Sequence, residues 1–230
     1  MDEDGLGAIG FMFDAEHERE TRQISFGADI QITLRTIGDK PGHVQSGQYL
    51  WPAAAAAGEY LIAHWGEIAA GEVMELGAGC GLAGLVATQQ PLVRSVTYTD
   101  YDRGSLQLIE ENIALNSCVS VQSFAHFLEW GVDIAADTRA ENGYPLGGFG
   151  LVLGTDLIYS RDVIVPLFTT VSAVLHEQGT FLLVSSFELS EDFEAEIERI
   201  CLRLRLVRET RVGLDEQGGV SKVETFRFGQ

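Results

Sequence analysis

The stretch Glu75-Leu76-Gly77-Ala78-Gly79-Cys80-Gly81 is where residue types and spacing most clearly allow chemistry. Glycines at alternate positions strip side chains from a turn, so a ligand can lie against backbone above the end of the preceding strand. Asp100 follows one strand later, where a carboxylate can accept hydrogen bonds from both hydroxyls of a ribose. Turn and acid together imply a nucleotide-type cofactor. Read from Gly79, the string Gly79-Cys80-Gly81-Leu82-Ala83-Gly84 also matches the GxGxxG of dinucleotide folds, although that register begins late after the strand. Glu75 would suit a cationic ligand and repel a pyrophosphate. A Tyr-x-x-x-Lys pair for hydride chemistry is missing, since Lys40 and Lys222 are the only lysines. Taken alone, the loop leaves a redox dinucleotide and an adenosyl donor both open.

The elements that must hold these groups alternate in type. Strands are expected at Val73 to Leu76, Ser95 to Thr99, Val119 to Phe124, Leu151 to Thr155 and Thr180 to Ser185. Helices are expected at Leu82 to Gln89, at Ser105 to Asn116 with Leu106, Ile109 and Ile113 on one face, and at Val163 to Leu175. Such alternation predicts a parallel sheet covered by helices on both faces, the Rossmann-like class of α/β fold. After a helix near Phe193 to Cys201, the segments Arg205 to Arg211 and Lys222 to Phe228 flank Gly218-Gly219 and predict an antiparallel hairpin at the sheet edge, giving seven strands. Upstream, residues 1–20 read as a mobile or loosely docked arm. Residues 21–48 read as a hairpin appendage, with Ile24 to Phe26 and Ile30 to Leu34 around the turn Gly27-Ala28-Asp29. Pro41-Gly42 breaks the chain, and a helix from Leu50 to Trp65 opens the main domain, residues 49–230.

Composition sets further bounds. Hydrophobic residues make up 46% of the 230, enough for a sizeable core. Asp and Glu number 34 against 15 Lys and Arg, for a net charge of −19. A surface that negative repels phosphate backbones and anionic lipids, so neither nucleic acid nor membrane is an expected partner, whereas a basic protein segment is. Cys80, Cys118 and Cys201 are odd in number and far apart, which fits reduced thiols of a cytoplasmic or nuclear protein. The five histidines form no spaced pair, so no metal site is expected. The acidic N-terminal residues without a basic flank fit neither a secretory signal nor a transit peptide, and no run approaches the roughly 18 apolar residues of a membrane span. Oligomeric state is open, with a monomer as the expectation. The acidic series Glu188, Glu191, Asp192, Glu194, Glu196, Glu198 reads most simply as a solvated helix face.

Beyond the loop the chain resembles one family. Leu50-Trp51-Pro52-Ala53-Ala54, the E-x-G-x-G-x-G string from Glu75, Thr99-Asp100, Leu128-Glu129-Trp130-Gly131 and Leu153-Gly154-Thr155-Asp156-Leu157-Ile158-Tyr159-Ser160 follow the order seen in the family-16 seven-strand methyltransferases. The most specific element is Asp-x-x-Tyr after the fourth strand, Asp156-Leu157-Ile158-Tyr159. The Pro-Pro of adenine methyltransferases is absent from it. Gly150 departs from the pattern, where an aspartate usually follows the phenylalanine.

The resemblance implies a class I methyltransferase that uses S-adenosylmethionine and modifies lysine in a non-histone protein. It implies cofactor contacts from Trp51, Glu75, Gly77, Gly79, Gly81, Asp100, Tyr101, Trp130 and Thr155. Asp156 and Tyr159 are implied as the catalytic pair that shapes the acceptor site, with Asp156 orienting the amine. Methylation of protein histidine or of a small molecule, and a cofactor-binding interaction module without catalysis, are the competing readings. For the individual rings the competing reading is packing, with Trp51, Trp130 and Tyr159 as core aromatics and Tyr101 as a packing residue.

Overall fold

A computed structural model describes residues 19–38, 46–68, 70–116, 120–132, 134, 136–214 and 220–229. The expected arm up to residue 18, the Pro41-Gly42 break, the Gly218-Gly219 turn and Cys118 lie outside the described residues.

The seven-stranded sheet is built from β3 (Glu72–Leu76), β4 (Ser95–Asp100), β5 (Gln122–Phe127), β6 (Phe149–Thr155), β7 (Leu175–Ser185), β8 (Leu206–Leu214) and β9 (Val220–Phe228) in the order β5-β4-β3-β6-β7-β9-β8. β3 to β7 run parallel, and β9 and β8 close the far edge antiparallel. The order reverses at β3, between β4 and β6, which is where open sheets of this class leave a crevice for a ligand. The expected fold is thus observed, including a separate two-stranded hairpin of β1 (Arg19–Phe26) and β2 (Ile30–Ile37).

Alternation along the central strands sorts side chains to two faces. Val73, Val96, Leu151, Leu153, Leu182 and Val184 pack on one face against α1 (Pro52–Ile68) and α2 (Leu82–Ala87). Met74, Leu76, Val152, Phe181 and Leu183 pack on the other against α5 (Ile164–Val174) and α6 (Glu191–Leu204). The alanines of α1 let that helix lie close to the sheet, and Phe26, Ile32 and Leu34 of the hairpin join the same apolar cluster. On the other face Phe168, Phe181 and Phe226 form a three-ring cluster with centroids 5.0–5.8 Å apart.

α3 (Arg103–Leu115) begins at Asp102, whose carboxylate accepts from Ser105 N–H at 2.8 Å, and α4 (Ala136–Glu141) was not anticipated. β5 lies three residues beyond its expected place. It is the edge strand, and none of its side chains is buried, so hydrophobicity marks it poorly. The acidic face of α6 is less solvated than expected. Glu194 pairs with Arg208 and Lys222, and Glu196 pairs with Arg161 and Arg199. No helix among the described residues is long and apolar enough to cross a membrane.

Candidate functional site

β3 ends at Leu76, and residues 77–81 turn the chain into α2. Gly77 and Gly79 hold φ angles of +55° and +57°, a left-handed conformation that side chains resist. A Cβ at Gly77 would come within 2.7 Å of Leu157 and 3.0 Å of the Trp130 ring, and one at Gly79 would lie 2.3 Å from the Gly47 carbonyl oxygen. These glycines therefore serve the packing of the loop itself as well as leaving its backbone bare. Gly81, at φ +80°, is the residue from which α2 starts. The loop is pinned from several sides: Ala78 N–H donates to the Thr99 carbonyl at 2.9 Å, and Gly79 N–H donates to Asp100 Oδ2 at 3.0 Å.

Asp100, at the end of β4, is 5% exposed, and its Oδ1 accepts from Asp102 N–H at 2.9 Å. Burial pushes its carboxyl above the ordinary range, and the N–H groups of Asp102 and Gly79 pull it back by stabilising the charged form. A carboxylate offers about four acceptor positions, so two donors leave about two for a ligand.

Glu75 is placed differently from the sequence expectation. It is 1% exposed beneath the loop, where Oε2 accepts from Gly84 N–H at 3.0 Å and Oε1 has no partner among the described residues. Burial pushes its carboxyl from 4.5 up to about 8. It is held mainly neutral at pH 7, so it braces the start of α2 and offers no charge to a cationic ligand.

The motif after β6 divides by burial. Leu157 and Ile158 point into the core, while Tyr159 is 65% exposed. Asp156 adopts φ +53°, a conformation aspartate tolerates better than most side chains, and is 9% exposed. Its Oδ2 accepts from Ala53 N–H at 3.2 Å, in the first turn of α1. Its Oδ1 accepts from Ser186 N–H at 2.7 Å, and the Ser186 hydroxyl donates to the same carboxylate. Protein donors thus fill most of the acceptor positions of Asp156, and the sequence expectation of a carboxylate free to orient an amine gives way to one that ties α1 to the end of β7.

The rings gather at the carboxyl ends of the parallel strands. Burial raises the Tyr159 hydroxyl above its ordinary range, and the nearby Tyr101 and Asp100 add to that shift. Tyr101 and Trp51 are exposed, Trp130 is half-buried against the Gly77 position, and Thr155 is half-buried at the end of β6. The exposure of Trp51, Tyr101 and Tyr159 excludes a simple core role for them. Cys80 and Cys201 are buried free thiols pushed up to about 12 and about 11 by burial, values that keep them protonated and unreactive. Among the described residues no group of His, Cys, Asp and Glu could hold a metal ion.

Sequence reasoning missed Ser186, Gly47 and the asparagines Asn112 and Asn116. Asn112 on α3 and Asn116, which caps the end of that helix, stand four residues apart, about one turn. That spacing of two amides inside an otherwise apolar face was the available signal. Ser186 and Gly47 carry no local signature, because their partners are 30 or more residues away.

Comparisons with known proteins bear on this geometry. A family model described as lysine methyltransferase matches residues 31–197. EEF1A lysine methyltransferase 3 of Mus musculus is 26% identical over 189 residues, covering 82% of this chain and 75% of the relative. Protein N-lysine methyltransferase METTL21A of Mus musculus is 30% identical over 154 residues, covering 65% of this chain and 66% of the relative. The solved methyltransferase SMU.776, complexed with SAH, superimposes with a TM-score of 0.62 at 12% identity, covering 90% of this chain and 56% of that one, a likeness of fold.

Proposed function

The chain belongs to the lysine methyltransferase family, and from that premise we propose that it transfers a methyl group to a lysine side chain of a non-histone protein. The sheet is the class I methyltransferase fold, and the cofactor is S-adenosylmethionine. The observation that carries the reading is Asp100, fixed by Gly79 and Asp102 N–H groups beside the glycine loop with about two acceptor positions to spare. Those positions fit the two ribose hydroxyls of an adenosyl group. Trp130 and Tyr101 would flank its base, and the backbone of residues 77–81, Thr155 and Trp51 would line the rest.

The bound donor supplies a methyl carbon already activated by a sulfonium. The protein has to align a nucleophile about 3 Å from that carbon and exclude water. A lysine amine, with an ordinary pKa of about 10.4, must arrive uncharged. The rings of Trp51, Tyr101 and Tyr159 form a weakly polar rim that first meets the lysine as an ammonium by cation–π contact. Enclosure by the incoming target then disfavours the charged form, and the proton leaves to solvent before the neutral amine attacks the methyl carbon. Asp156 acts as a positioning residue, holding the Tyr159 turn to α1 and to Ser186. The charge of −19 favours a basic segment of the target. The buried free thiols accord with a cytoplasmic or nuclear protein.

The test is transfer from radiolabelled S-adenosylmethionine into an extract of cells lacking the protein, followed by residue analysis. Label on lysine of a non-histone protein is expected. Label on arginine or histidine, or on small metabolites alone, would overturn the target, and no binding of S-adenosylhomocysteine by the folded chain would overturn the donor site.

A further inference from the structure

The outer edge of β2 is bonded to a helix through side chains that stand in for a neighbouring strand. Asn112, fully buried on α3, accepts from Arg35 N–H through Oδ1 at 2.7 Å and donates through Nδ2 to the Arg35 carbonyl at 2.9 Å. One turn later Asn116 repeats the pattern on Thr33, accepting from its N–H at 2.8 Å and donating to its carbonyl at 2.7 Å. The match is geometric: two residues of strand advance about 6.8 Å and four residues of helix about 6 Å. Both asparagines therefore clamp the hairpin, but only Asn112 reaches further. Its Nδ2 also donates to the Cys80 carbonyl at 2.9 Å, within the loop that holds Gly79 against Asp100. At its start the same helix carries Asp102, whose N–H fixes Asp100. On the outside Glu111 pairs with Arg19 and Arg35, so residue 35 is gripped by side chain and backbone alike.

The geometry points to Asn112 as a positioning residue that couples the N-terminal hairpin to the donor loop, so that seating of β2 on α3 sets the affinity for the adenosyl donor. This inference rests on the donor reading of residues 77–81 and is independent of the target amino acid. Without the Asn112 amide the Cys80 carbonyl, buried with its residue, loses a donor, and the loop can relax away from the position in which Gly79 N–H orients Asp100. Asn116 is the internal control, because it holds the hairpin and its bonds run to Thr33 and to the Asn112 carbonyl rather than to the loop.

Calorimetry with S-adenosylhomocysteine, paired with amide hydrogen exchange, separates the two asparagines. Asn112→Asp keeps the acceptor for Arg35 N–H and turns an oxygen on two carbonyls. A Kd raised about tenfold is expected, with recovery as pH falls and the protonated carboxyl donates again. Asn116→Ala should speed exchange at Thr33 and leave Kd within about twofold. In the unmutated chain, reciprocity requires the ligand to slow exchange at Arg35 more than at Thr33, a readout that needs no variant to fold. Equal ligand effects at the two amides, or equal losses of affinity in the two variants, would overturn the coupling while leaving the donor site intact. Failure of the unmutated chain to bind S-adenosylhomocysteine would overturn both.

Discussion

The two sides of the proposed site are built on opposite principles. On the donor side, polar groups are buried and fixed by hydrogen bonds: Asp100 by the N–H groups of Gly79 and Asp102, Glu75 by Gly84 N–H, the Cys80 carbonyl by the Asn112 side-chain amide. On the acceptor side Tyr159 stands exposed, Trp51 and Tyr101 are exposed where the two sides adjoin, and the support is withdrawn to the buried Asp156 and the half-buried Ser186. An invariant small ligand needs pre-set donors and acceptors, since misplacing a buried polar group forfeits most of its value. A protein substrate brings its own surface and completes the apolar enclosure on arrival. On the proposed reading, donor binding rests chiefly on Asp100 and its loop and target recognition chiefly on Tyr159 and its support, with Trp51 and Tyr101 shared, and substitutions at the unshared residues should separate the two.

The largest separation is expected from Asp100→Ala. Two hydrogen bonds to a charged group, at about 1.5–3 kcal/mol each, predict a loss of S-adenosylhomocysteine affinity of about 100-fold or more, read by calorimetry with the fold intact. Affinity unchanged would remove Asp100 from the donor side.

Asp156→Ala should act the other way round. It leaves the N–H groups of Ala53 and Ser186 without their acceptor, which predicts about 2 kcal/mol less stability in urea unfolding and a kcat about tenfold lower. The Kd for S-adenosylhomocysteine should stay within about threefold, and a larger change would show that the two sides are not separable.

Glu75→Gln sharpens the donor side through pH. The Glu75 carboxyl, near 4.5 when unfolded, is pushed up to about 8 in the fold by burial. A raised folded value means that its stabilising contribution is complete below about 4.5 and is lost as pH rises through about 8. Glutamine cannot ionise, so the melting temperature of the variant relative to the parent should climb steadily over that window. A constant difference would mean that Glu75 titrates at its ordinary value.

The smallest effect belongs to the rim. Tyr159→Phe, at an exposed ring, should leave stability within about 0.5 kcal/mol and donor affinity unaltered, while KM for the protein substrate rises about threefold. An unchanged KM would leave the ring without a role for its hydroxyl.

Much of the donor side was legible in the sequence because its parts are local and periodic. A strand, a glycine turn and a helix occur in contiguous residues, and Asp100 sits at the end of the next strand, so Gly77, Gly79, Gly81 and Asp100 announce themselves through spacing. Glu75 shows the limit, since its type suggested a charge for the ligand and only burial reveals a neutral brace. The edge strand β5 was misplaced because its partly exposed side chains lack the continuous buried run that marks β4 and β6. Contacts between distant segments left no trace: Asp156 with Ala53 spans 103 residues and Asn112 with Arg35 spans 77. Single polar residues of this kind become meaningful only when the fold brings their partners into reach.

Leu157 lies between the two sides. It belongs to the Asp156 to Tyr159 turn, yet its side chain fills the space that a Cβ on Gly77 would need. Anyone wishing to redirect the enzyme to a new protein should therefore leave this leucine untouched and vary Tyr159, because a bulkier side chain at residue 157 would press on Gly77 and spoil the turn beside it.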